Sequence, residues 1–393
     1  LAATIGTNLD TVKFSAPLLS LDVTGSYFLA SDVHVDELAI TTGRQAGGNT
    51  AAYQLSATGL NYSVVDATSG TTLNISDSQG MRLNYNSGRS LVLGDIDLGR
   101  TSSLSLNTIN AGASITGDGD ISHGITPGTL TLSSQGGSIG AANAVVRADA
   151  ANVTANAQGG GVRVALSNPS ALNGVTSRGD SYLENSVGDI ALGTINLNGN
   201  KLFVTNTGGS ILSGSLQNVT EVTLDAYGSI GNVSAITTSA QSNGTTTLNA
   251  TARSNASGAT GSIALSESYN LIANSITAPG GVTVNAGRAL TVGTVNASSS
   301  AVALTASRGN LLGQTGNHIT GASVRLSADY LSNGENYSIG SSGTALNLST
   351  KNLELVSAQN IYVANDQTLD SLSITRNRSM YAAGGTISVA STG

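Results

Sequence analysis

Carboxylates, one charged tripeptide and a run of tyrosines beside arginines are the residues of this chain whose types and spacing could do chemistry. Asp95-Ile96-Asp97 and Asp118-Gly119-Asp120, with His123 beyond, are the close carboxylate pairs that invite a calcium or catalytic reading, and Asp118 follows Asp97 at a step of 118−97=21. Paired carboxylates serve glycoside hydrolysis, one as acid and one as base or nucleophile, and larger oxygen sets bind calcium. On a strand, Asp95 and Asp97 share one face with Ile96 opposite, which is the pattern of a solvated outer surface. The Gly-Gly-x-Gly-x-Asp nonapeptide of calcium-loaded β-rolls does not occur. Arg178-Gly179-Asp180, followed by Ser181, matches an integrin-type recognition tripeptide, and a turn with Gly at its apex is the plain alternative. Tyr53, Tyr62 and Tyr85 lie in one stretch with Arg82, Arg89 and Arg100. Tyrosine and arginine are the usual anchors of binding surfaces, although tyrosine also pads core edges. His34, His123 and His318 are far apart and have no partner at metal-ligand spacing.

Composition restricts what these groups can be part of. The 393 residues include 49 Gly, four Pro, no Trp and no Cys, with 10% charged and 39% hydrophobic residues and a net charge of −7. Alternating hydrophobic runs argue for a folded chain despite the abundance of Gly and Ser. The acidic balance and the lack of a basic stripe exclude the electrostatic footprint of nucleic-acid binding. Absent cysteines exclude disulfides and thiolate chemistry. No apolar run approaches the ~18 residues of a membrane helix, and Leu1 to Ser20 lacks the plan of a signal peptide. A start at Leu1 is expected of a segment of a longer or processed protein. No cofactor and no metal is implied.

The elements that must position these residues are short strands at a nearly constant step. Val282-Thr283-Val284, Val302-Ala303-Leu304, Val324-Arg325-Leu326 and Leu346-Asn347-Leu348 alternate in-out-in, and their last members step by 304−284=20, 326−304=22 and 348−326=22. A second signature places Gly before Ser, Asp or Asn and then a branched aliphatic, as in LSSQGGSIG (132–140), LENSVGDIALG (183–193), VTNTGGSILSG (204–214), LDAYGSIG (224–231) and LTASRGNLLG (304–313). Glycine at a fixed phase marks a corner, and the aliphatic re-enters the core. The pattern predicts an all-β, right-handed parallel β-helix of about 20–22 residues per coil. Residues 1–90 read as an irregular start, with hairpins projecting at about 43–88. Residues 91–393 read as a regular shaft with loop excursions near 165–183 and 250–276. Ile211, Leu224, Ile230, Val284, Leu304 and Leu326 are expected to face inward.

These repeated Leu/Val-x-x-x-(x)-Gly-(Ser/Asp/Asn)-(Ile/Leu) units resemble the repeats of filamentous-haemagglutinin-type exoproteins, the β-helical adhesins of two-partner secretion. The likeness covers about residues 91–360 well and 1–90 poorly, and autotransporter passengers satisfy it too. The Asn-Pro-Asn-Gly-like turns of the family's secretion module have only Asn168-Pro169-Ser170 as an approach, so the segment resembles a piece of shaft. The resemblance implies a secreted or bacterial-surface rod that is not catalytic and attaches to cells or extracellular polysaccharide, as in a biofilm matrix. It also implies passage through an outer-membrane secretion pore. Under it Tyr53, Tyr62, Tyr85, Arg82 and Arg89 are the candidate glycan or partner contacts, and Arg178, Gly179 and Asp180 an integrin-type motif. A β-helical polysaccharide lyase or glycosidase is the alternative, with Asp97 and Asp118 stacked on adjacent coils as its candidate acids. The adhesin reading predicts no release of unsaturated or reducing ends from polysaccharides, with or without calcium. Release abolished by Asp97→Ala or Asp118→Ala, in a reducing-end assay, would establish the enzyme instead.

Overall fold

A computed structural model describes residues 12–14, 18–23, 29–31, 37–42, 72–76, 82–87, 90–97, 103–117, 125, 128–167, 171–254, 258–328, 337–376 and 385–391. The described residues are nearly all strand, with one short 3-10 turn at Gln241–Asn243. The chain divides into two compact units, Leu1–Gly188 and Asp189–Gly393. Each is a parallel β-solenoid, in which a strand pairs with the equivalent strand one coil later; where a strand runs on through a corner, as in Ala191–Asn206, that partner is the next strand in sequence, Ser215–Ala226.

In the first unit, Arg82–Ser87 pairs with Ser103–Ala111, which pairs with Thr129–Gly136, then Asn152–Ala157, then Ala171–Ser177. A second ladder runs from Leu18–Val23 through Glu37–Thr42, Thr72–Ser76 and Leu91–Asp97 to Ile115–Gly117. Thr72–Ser76 and Arg82–Ser87 are thus parallel members of the coils, and the expected hairpins do not extend over them; the remainder of that expectation, 43–71, lies outside the described residues. Of the stretch 165–183, the strands Arg163–Leu166, Ala171–Ser177 and Ser181–Asn185 stay in the ladders, with Val153 stacked on Leu172 and Val164 on Leu183, steps of 172−153=19 and 183−164=19, while 168–170 lie outside the described residues. Leu130 stacks on Val153 and Leu132 on Ala155, all four buried, at a step of 153−130=23.

The second unit is organised on a column of branched aliphatics. Ile190, Ile211, Ile230, Ile263, Val282, Val302, Val324 and Leu353 are successive register neighbours. All are at most 2% exposed. Flat β-branched side chains pack rung upon rung without voids, and each buried one contributes about 1.5–3 kcal/mol. Beside it runs Leu265, Val284, Leu304, Leu326 and Leu355. The six residues expected inward, Ile211, Leu224, Ile230, Val284, Leu304 and Leu326, are all 1% exposed or less. The fourth triplet belongs elsewhere: Leu348 stacks on Ile319, whereas Leu326 is followed by Leu355, a step of 355−326=29. In the region expected as an excursion at 250–276, strands Thr245–Ala252, Ile263–Glu267 and Asn270–Thr277 stay in the ladders. The extra chain falls between Ala252 and Ile263 and stretches the step from Ile230 to Ile263 to 263−230=33.

The corners explain the Gly-(Ser/Asp/Asn)-(Ile/Leu) signature. The N–H of Ser210 donates to Asp189 Oδ1 at 2.7 Å, that of Ser229 to Ser210 Oγ at 3.0 Å, and that of Ser262 to Ser229 Oγ at 3.0 Å. The same ladder links Ser90, Ser114 and Ser138 in the first unit. It links Asn310, Ser338, Asn360 and Thr386 later in the second. In these coils a short side chain with an acceptor oxygen at this phase satisfies a backbone donor of the next coil, whereas Gly281 and Ala301 hold the phase before Val282 and Val302. Among the glycines before the oxygen-bearing residue, Gly188 has positive φ (+69°), whereas Gly228 and Gly261 are a matter of space. A Cβ on Gly228 would lie 2.5 Å from Ser210 Oγ, and one on Gly261 2.6 Å from the Gly228 carbonyl oxygen. Positive φ is also found at the glycine after the aliphatic, as at Gly231 (φ +74°).

Two stability predictions come from this architecture. Leu304→Asp puts an unpaired charge into the dry column and is expected to cost several kcal/mol, read as a lower denaturant midpoint. Wild-type melting would show that the column is not the core. Ser229→Ala leaves the part-buried Ser262 N–H without its acceptor and is expected to cost about 0.5–1.5 kcal/mol, with Ser229→Asn restoring most of the loss.

Candidate functional site

The residues singled out from the sequence are not brought together. Tyr53, Tyr62, Arg89 and Arg100 lie outside the described residues, as do Asp118, Gly119, Asp120, His34 and His123. Arg82 and Tyr85 belong to a coil strand, in register with Ser103 and Leu106. Ile96 is fully buried, as the in-out reading of Asp95-Ile96-Asp97 requires. Ile96 pairs with Ile125, so the coil at that point takes a step of 125−96=29 and not 21. His318 sits half-buried in a strand opposite Thr294. Among the described residues no group of three or more His, Asp or Glu is placed to hold a metal ion.

Arg178-Gly179-Asp180 forms a tight corner stacked on the preceding coil. The Arg178 N–H donates to the Gly160 carbonyl at 3.1 Å, and the buried Ser177 hydroxyl donates to the Gly179 carbonyl at 2.8 Å. A Cβ on Gly179 would approach the Gly161 nitrogen to 2.7 Å, so stacking alone accounts for the glycine. The Arg178 and Asp180 residues are exposed on either side of it.

Three arginine–tyrosine stacks among the described residues are not visible from the sequence. The Arg163 guanidinium lies 3.8 Å from the Tyr182 ring centre, Arg253 4.9 Å from Tyr227, and Arg288 5.3 Å from Tyr269. Each pair joins adjacent coils. Arg163 and Tyr182 are strand-register partners, the Arg253 N–H donates to Ala226 beside Tyr227, and the Arg288 N–H donates to the Tyr269 carbonyl. Arg253 is further held by both oxygens of Asp225, its Nη2 at 2.9 Å from Oδ2. Tyr227 is 48% exposed, which leaves ring surface open to solvent. Stacking fixes both planes in advance, so a ligand meets an aromatic face and a guanidinium edge already in place. The signal available in sequence is a Tyr and an Arg one coil apart, at steps of 182−163=19, 253−227=26 and 288−269=19. Grouping tyrosines and arginines by nearness along the chain misses it.

The outer face of the second unit also carries a trough of about 540 Å³ across four coils. It is lined by Ala301, Ala303, Ser323, Arg325, Asn352, Glu354, Ser371 and Ser373 together with the strand positions between them. Arg325 Nε is 3.1 Å from Glu354 Oε1, and the Ser371 hydroxyl donates to Asn352 Oδ1 at 2.8 Å. The most buried acid in this unit, Glu267, is fully engaged. Its Oε2 accepts from the Thr238 hydroxyl at 2.7 Å, and its Oε1 accepts from the N–H groups of Tyr269 and Ala240 at 2.9 and 3.2 Å. That carboxylate braces a corner next to Tyr269, which is a positioning task. Compared with known proteins, the chain matches no family model, no curated protein and no solved structure.

Proposed function

We propose that this chain is part of a secreted or bacterial-surface adhesin that attaches to extracellular polysaccharide or cell-surface glycans without catalysing their cleavage. The observation that carries the reading is the set of three arginine–tyrosine stacks on the coil surface. Sugar rings have apolar C–H faces and hydroxyl rims; an aromatic face with a guanidinium beside it complements both. The remaining outer positions are mostly small and polar, as in Thr283, Ala303, Ser323 and Ser373, and make a scaffold with few anchors of its own. Glu354 is the one carboxylate among the residues lining the trough, whereas glycoside hydrolysis takes two. A chain free of cysteine and rich in Gly, Ser, Thr and Asn suits passage in unfolded form through an outer-membrane pore before the coils stack.

Attachment of Tyr182→Ala, Tyr227→Ala and Tyr269→Ala variants to polysaccharide and to bacterial cells tests the reading by co-sedimentation. Loss of an anchor is expected to weaken attachment about tenfold at each contributing stack, with the melting temperature nearly unchanged and Phe replacements largely active. Full attachment by the triple variant would place adhesion elsewhere, and a lower melting temperature would make the tyrosines part of the packing.

A further inference from the structure

We propose that the trough on the second unit seats a neutral, hydroxyl-rich glycan chain laid across its four coils. The proposal rests on the polysaccharide-binding reading and adds to it a site and a ligand class. The trough is formed by register neighbours. Ala301, Ser323, Asn352 and Ser371 make one outward column, and Ala303, Arg325, Glu354 and Ser373 the other. Its volume, about 540 Å³, lies within the range of small-ligand sites. Small side chains keep the floor low at both ends, at Ala301 and Ala303 and again at Ser371 and Ser373.

Charge and hydrogen-bonding capacity select the ligand. Arg325 and Glu354 meet through Nε and Oε1 and are each about half exposed, at 51% and 46%. A guanidinium has five N–H donors and a carboxylate accepts on both oxygens. The two Nη groups and Oε2 therefore present a donor edge and an acceptor edge side by side. A sugar hydroxyl both donates and accepts, so neighbouring hydroxyls of one ring satisfy both edges. The pair has no net charge and belongs to a chain of net charge −7, which offers an acidic polysaccharide no electrostatic gain. An added peptide strand needs an open sheet edge. Of the four strands under the trough, Ser371–Arg376 alone is paired on one side only among the described residues, so a peptide strand would add beyond the trough, which lies on the sheet face. Coils repeat at about 4.8 Å, close to the length one sugar adds to an extended chain, so successive sugars meet equivalent positions on successive coils.

Calorimetric titration of the whole chain with a length series of neutral β-linked gluco- and manno-oligosaccharides, and with oligouronates of matched length, tests this. Neutral affinity is expected to rise with length until four coils are spanned, then level off, and to be indifferent to salt. Glu354→Gln, which keeps the shape, and Ala303→Tyr, which fills the floor, are each expected to weaken it about tenfold or more. Tighter, salt-sensitive binding of oligouronates would overturn the ligand class. Neutral binding that survives both substitutions would overturn the site. If these variants attach to polysaccharide as wild type does while the tyrosine variants do not, the trough is discarded and the adhesin reading stands. Failure of the intact chain to attach to any polysaccharide or cell surface removes the adhesin reading itself.

Discussion

One backbone N–H at each corner of the side-chain ladder decides how these coils can be joined. Strand pairing satisfies donors along the flat faces, but at the turn into the aliphatic column the next coil's N–H meets a side chain and not a carbonyl. Ser210 serves Ser229, Ser229 serves Ser262, and Asn310 serves Ser338 in the same way. These corners are part-buried or exposed, and a short oxygen-bearing side chain there supplies the hydrogen bond that water would otherwise make to the donor. With the oxygen in place, Gly228 and Gly261 close the corner and Ile230 and Ile263 fall into one column. Corner chemistry and core packing are therefore coupled in the coils that carry this ladder.

Meeting that constraint on the inside leaves the outside free. Outward positions along the faces have no packing task, and register brings residues a coil apart into contact whatever their separation in sequence. Arg163 and Tyr182, Arg253 and Tyr227, and Arg288 and Tyr269 come together in this way, as do Arg325 and Glu354. A parallel solenoid converts sequence separations of one coil into lateral neighbours, and extended ligands with a repeat near the coil spacing are the natural guests of such a surface. Rigidity comes from the same source: a guanidinium stacked on a ring anchored in the next coil has little freedom left to lose on binding.

The candidate site is legible in sequence only in kind. That tyrosines with arginines would be the anchors follows from their chemistry, but Tyr85 and Arg82 have the sequence pattern of a projecting hairpin while their strand is a rung in register with Ser103 and Leu106. The Arg178-Gly179-Asp180 motif is visible as a turn; that Gly179 is required by its contact with Gly161 is not, because the contact crosses from one coil to another. Glu267 gives no sign in sequence of being buried. Its three donors come from a corner that exists only once the coils are stacked.

What the sequence by itself determined was the in-out alternation, the recurrence of corners and hence a parallel solenoid, together with the inward sense of Ile211, Leu224, Ile230, Val284, Leu304 and Leu326. These are local properties, set by the two-residue period of a strand and by the short oxygen-bearing side chains at the corners. Only the tertiary structure decided which residue lies above which. A constant step along the chain would place Leu348 on Leu326 and Asp118 beside Asp97, whereas the register places Leu355 on Leu326 and Ile125 on Ile96. The physical reason is that alternation carries no record of loop length. Extra residues between strands leave every inward and outward assignment intact while shifting the stacking, and with it every lateral contact on which a binding surface depends.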